Sequence, residues 1–302
     1  MKKEKTKKYE LTDETCEFNG VVLHRIRALR NFNNVHEGDL GGFVQYDGNL
    51  SHDGNCWIYS NGKVYGGAVV KDDAIVCHTA CIYDNASLWN SVEVRGSAMV
   101  YGNAMILDGV IIRGNVQIFD YARVWGNAMI SGSAMVSGYA TVFDNAYVKG
   151  DTKITDLATI SGDAIVRDNS CVKNNAQISG NAIIFENATI TGNSVISDMA
   201  HIFSDAHCDD VVINGMPRIS CKAHITSNRD YIVIGPIGSR SGYTTVYKCI
   251  DDIFRIQCGC FNGTIEEFLN KLNETYSESN AHHKTYMAMI KLICQRYQIE
   301  LS

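Results

Sequence analysis

From residue 68 to residue 206 the sequence repeats with a period of six and no insertion. Stepping by six gives 24 positions, of which 18 are Ala, three are Val and three are Thr or Ser. Two residues further on, from Val70 to Ile202, all 23 positions are Val, Ile or Leu, and Cys208 comes next. Two inward side chains separated by one outward residue make a minimal strand, because successive strand residues point to opposite faces. The other three residues must turn the chain, and their chemistry suits that task. From 66 to 204, the second place after each aliphatic residue is Gly at 11 of 24 positions and Asp or Glu at nine, and the next place is Asn ten times. Gly and Asn tolerate left-handed backbone angles, and Asp bonds to its own turn. Three strand-and-turn units close a triangular coil of 18 residues.

The phase extends backwards through Cys56 and Ile58, and less cleanly to about residue 44. Forwards it slips by one residue and continues through Val211/Ile213, Pro217/Ile219 and Ala223/Ile225. Residues 44–226 thus make about ten coils, each rising roughly 4.8 Å. This pattern resembles the hexapeptide-repeat family, which implies a mainly β fold, the left-handed parallel β-helix. The handedness is what the resemblance implies, since ordinary parallel crossovers are right-handed. The small Ala fits where the triangular interior narrows, and the branched residue fills the rest.

The ends depart from the period. Residues 1–43 read as a basic, solvated arm ("MKKEKTKKYE") followed by strands or a short helix that caps the open first coil. Segments such as "LHRIRALRNF" and "EGDLGGFV" resemble leaders of hexapeptide-repeat proteins of bacteria and their phages. Residues 227–302 read as a small α+β domain, with strands at "YIVI", "YTTVYKC" and "IFRIQC". Thr264 and Glu267 form a capping box for a helix that aligns Ile265, Phe268, Leu269 and Leu272. A second helix places Tyr286, Ile290, Ile293 and Tyr297 on one face.

A net charge of −6 gives no general reason to expect nucleic acid or an acidic membrane surface as partner. No stretch approaches 18 apolar residues, so neither a signal peptide nor an anchor is expected. Eleven cysteines, an odd number without an export signal, point to reduced thiols in a cytoplasm. The close pairs Cys77/Cys81 and Cys258/Cys260 lack a matching second pair, so neither a metal nor a cofactor is expected.

Many members of the resembled family are acyltransferases that use a histidine, often with a loop extruded from the coil. This frame has no extrusion; His78 falls at a turn, and His201 and His207 point outward on different sides. No catalytic residue is therefore assigned. Asp72, Asp108 and Asp144, like Asp84, Asp120 and Asp156, recur at 36 residues, a spacing that keeps like charges from stacking on successive coils. "GPIGSRSG" (235–242) has the look of a phosphate loop with Arg240 at hand. A strand-like segment follows it rather than a helix, so a hairpin loop is the expectation.

The outward positions carry more. On one prism side the residue before each aliphatic position reads Trp57, Ile75, Glu93, Ile111, Met129, Tyr147, Ile165, Ile183, His201, mostly apolar although it points out. Trp57, Ile75, Ile111, Met129, Tyr147, Ile165 and Ile183 are the candidate interface, because a contiguous exposed apolar patch marks a contact surface. Arg95, Arg113, Lys149 and Arg167 flank the strip and are candidates to bind a neighbour or an anionic ligand. The expectation is a non-catalytic, homo-oligomeric scaffold or binding protein, a trimer by resemblance, acting on a host protein or sequestering a small molecule in a phage setting. The alternative is an acyltransferase on a nucleotide-sugar or amino-acid substrate.

Overall fold

The structure is a computed structural model that describes residues 7–300, so the basic start of the N-terminal arm (residues 1–6) lies outside the described residues. The chain is mainly β, a parallel β-solenoid of about ten turns with two helices near its C-terminus. It divides into two compact units, Met1–Asn174 and Asn175–Ser302.

In the first unit, the strands Tyr9–Phe18 and Val21–Ala28 form an antiparallel hairpin. Its turn is Asn19-Gly20, both with positive φ, as a tight hairpin requires. The strand Leu40–Val44 pairs antiparallel with the hairpin and parallel with Lys63–Val64, and so joins the cap to a solenoid face. The cap also closes the open end chemically. Lys8 is fully buried, and its ammonium donates to the Cys56 carbonyl at 2.8 Å, which satisfies an acceptor that no earlier coil could reach.

The coils follow the six-residue frame. Ala98, Val100, Ala104 and Ile106 are each 0% exposed, as are Ala134, Val136, Ala158 and Ile160. Strands stack in parallel at a register of 18, as in Ile111↔Met129, Met129↔Tyr147 and Tyr147↔Ile165. At the corners, Asp108, Asp120 and Asp144 take positive φ, and each carboxylate reaches the next coil. The Asp108 carboxylate accepts from the Gly126 amide at 3.2 Å, and that of Asp144 from the Gly162 amide at 3.0 Å. These Asp side chains thus also tie successive corners together through the amide above each of them. A Cβ on Gly126 would lie 2.9 Å from the Asp144 backbone nitrogen, so glycine is the residue that lets the corner close. Outward aromatic rings stack between coils, Tyr65 on Tyr83 at 5.1 Å and Tyr83 on Tyr101 at 4.8 Å.

The second unit opens with solenoid coils of the same kind, in which Ile183 pairs with His201. The frame slip foreseen near residue 208 is a register of 17: Val195↔Val212, His201↔Arg218 and His207↔His224. Asp210 absorbs it at the corner, where its carboxylate accepts from the Asn193 amide at 2.7 Å. A four-stranded antiparallel sheet follows, Tyr231–Ile237, Gly242–Lys248, Phe254–Cys258 and Phe261–Thr264. "GPIGSRSG" is the hairpin between its first two strands. Helices α1 (Ile265–Thr275) and α2 (Ala281–Tyr297) cover the sheet. Thr264 and Glu267 cap α1 reciprocally, and Val246, Ile256, Phe268, Leu272, Ile290 and Ile293 form the core. The sheet sits on the last coil through Ala223↔Cys249 and the bond from the Arg218 amide to Thr245 Oγ1 at 2.9 Å.

Candidate functional site

The candidate strip resolves into separate pieces. Ile111, Met129, Tyr147 and Ile165 stand in register on one face of the first unit, each half-buried by its neighbours, and Ile75 occupies the same row. Trp57 does not belong with them. It is 1% exposed, with Phe32 at 5.3 Å and Tyr9 at 6.3 Å packed edge-on, because the N-terminal cap folds over the first coil. Ile183 holds the equivalent position in the second unit, next to His201. Of the flanking cations, Arg95 pairs with Glu93, and Arg167 with Asp168 at 3.0 Å. Arg113 and Lys149 are exposed. Arg113 and Lys149 thus present charge beside the apolar row, while Arg95 and Arg167 already have carboxylate partners.

Four histidines bear on catalysis. His52 donates or accepts at Nε2 with Asp47 (3.1 Å), takes the Lys8 amide at Nδ1 (3.1 Å) and stacks on Tyr9 at 4.4 Å. Both ring nitrogens are committed to the cap, so this dyad, which the sequence did not reveal, is structural. His78 occupies a corner with φ 62°. His207 stacks on His224 at 5.4 Å.

His201 is placed differently. It stands half-buried on the outer face of its coil, in a cleft of about 270 Å³. Met199 and Met216 line the cleft on the solenoid side, and Gly242, Tyr243 and Gly259 on the side of the C-terminal sheet. Arg218 is its register partner on the adjoining coil. Burial, and secondly the Arg218 charge, hold the imidazole below its ordinary value of 6.5. A neutral imidazole at neutral pH has a free lone pair and can take a proton. The Arg218 guanidinium, which also lines the cleft, lies over the Phe203 ring at 5.8 Å. Residue spacing could not reveal this site, because part of its wall, Gly242, Tyr243 and Gly259, comes from segments 40 or more residues downstream in sequence.

The coils at residues 122–138 and 176–188 match the YdcK beta solenoid repeat. The chain folds as a β-solenoid on a six-residue period, and in these two stretches it is similar to that repeat family. Over 100 residues it is 30% identical to the "Uncharacterized acetyltransferase YdcK" of Escherichia coli (strain K12); the match takes in 30% of this chain and 31% of that relative. A crystal structure of a Bacillus cereus protein provisionally described as an acetyltransferase aligns with 43% of this chain and 74% of that one, at 17% identity and a TM-score of 0.33. The YdcK match corrects the expectation of a non-catalytic scaffold and favours the alternative, acyl transfer. Among the described residues no helix is long and apolar enough to cross a membrane.

Proposed function

We propose that the protein is an acyltransferase that moves an acyl group from a thioester donor to an amine or hydroxyl acceptor, with His201 as general base. The observation that carries the proposal is the 30% identity over 100 residues to a protein named an acetyltransferase. The His201 cleft supports it, since its imidazole is kept neutral at a solvent-accessible site. In the proposed reaction the imidazole takes the proton from the acceptor N–H or O–H as that atom attacks the thioester carbonyl. The C–S bond breaks when the tetrahedral intermediate collapses, and the imidazolium returns the proton to the departing thiolate. Arg218 disfavours the imidazolium and so promotes that return. Calorimetry with acetyl-CoA tests donor binding: a saturable heat is expected, and its absence up to millimolar donor contradicts the proposal.

We propose also that the row Ile75, Ile111, Met129, Tyr147 and Ile165 joins subunits of a homo-oligomer, with Arg113 and Lys149 at its rim. Its support is the in-register apolar stack on an outward face. A cytoplasmic setting fits the eleven cysteines, all of which are free thiols.

A further inference from the structure

The His201 cleft has a larger neighbour. Gly242, Tyr243 and Gly259 line it and also line a second cavity of about 540 Å³ within the C-terminal domain, so Tyr243 stands in the wall of both. A volume of that order is in the usual range for a small-molecule site. The chamber is walled by aromatic and apolar groups, among them Ile237, Phe261, Tyr276 and Tyr286. Two cations, Arg240 and Lys271, line it, and no carboxylate does. Arg240 comes from the "GPIGSRSG" hairpin, whose position is tied to the end of α1 by the bond from the Tyr276 hydroxyl to Ser239 Oγ at 3.2 Å. Lys271 pairs with Glu274 at 3.0 Å, but both side chains are well exposed, and water screens such a surface pair to little net strength. Its ammonium is free to turn to a better partner.

An aromatic-walled chamber with two cations selects a particular chemistry. A neutral ring gains stacking and burial but leaves the cations unused, and a bare inorganic anion gains charge but leaves the rings wet. A ligand with both parts satisfies both. We infer that this chamber binds an aromatic anion, its ring among Tyr243, Phe261 and Tyr276 and its carboxylate or phosphate on Arg240 and Lys271. The two sites share Gly242, Tyr243 and Gly259 in their walls, and a role for the bound anion as acyl acceptor rests on the acyltransferase proposal, whereas the binding does not.

The test is calorimetric titration of the full chain, without any acyl donor, with 1-naphthyl phosphate, 1-naphthoate, 1-naphthol and inorganic phosphate. At least one naphthyl anion is expected to bind tenfold or more tighter than both 1-naphthol and inorganic phosphate, and the better of the two anions tells phosphate from carboxylate. In the double variant Arg240→Ala/Lys271→Ala, whose sites are exposed and whose melting temperature should be unchanged, that advantage should fall below threefold. Equal binding of naphthol and the anions, undiminished binding by the double variant, or no binding at millimolar concentration overturns the inference. Binding without acyl transfer to any acceptor sinks the acyltransferase proposal alone, and acyl transfer without anion binding sinks this one alone.

Discussion

Arg218 lies beside His201 in register on the adjoining coil of the parallel sheet, and its charge adds to burial in keeping that imidazole neutral. The direction of the shift fixes a pH dependence. A histidine whose folded pKa is depressed stays a base until the pH falls below 6.5, so kcat/KM for acyl transfer should be flat down to that point and decline only below it. Arg218→Ala removes the second cause of depression and should move the declining limb upward, towards 6.5. The same group makes the fold less stable as pH falls through 6.5, because the unfolded chain then binds the proton more readily. A wild-type limb at or above 6.5, or one that Arg218→Ala leaves in place, argues against His201 as the base.

The prism interior should discriminate sharply by position. Val136 and Ile160 are each 0% exposed. Replacing either by Asp buries an unpaired carboxylate and should cost several kcal/mol, on the order of 4 or more. Asn145, exposed at a corner and bonded to Asp163 at 3.0 Å, should accept Ser within about 0.5 kcal/mol. Urea unfolding midpoints measure both, and equal losses contradict the six-residue frame.

Assembly is testable by charge placed in the apolar row. Ile111→Asp with Ile165→Asp should dissociate the proposed oligomer and leave the coils folded, since both side chains point outward from the prism and are partly exposed. Light scattering reads the mass and circular dichroism the fold. A wild-type protein that is monomeric, or a double variant of unchanged mass, contradicts the proposed interface. Trp57→Ala should instead lower stability without altering mass, because that ring belongs to the cap core.

The solenoid was legible because its signal is local: Ala and an aliphatic residue two apart, then a corner, repeated without insertion. Even the one-residue slip near Asp210 could be read directly. The helices α1 and α2 were legible through the Thr264/Glu267 box and the spacing of Tyr286, Ile290 and Ile293. What the sequence hid depends on residues far apart in the chain. Trp57 belongs to the row by period, but Phe32 and Tyr9, which cover it, come from the cap. His201 belongs to the same row, and only the return of the 242–259 segment makes a cleft of its surroundings. A six-residue period says which way a side chain points and nothing about what folds back over it.

The most direct test of the account is thiol release from acetyl-CoA by the purified protein, followed with a thiol reagent against amine and hydroxyl acceptors that include aromatic anions. Acceptor-dependent release is expected, and His201→Ala should lower it by about 100-fold or more, with an unchanged melting temperature and with His207→Ala retaining most of the rate. Acceptor-dependent release that survives His201→Ala, or no release with any acceptor from a folded protein that binds acetyl-CoA, would contradict it.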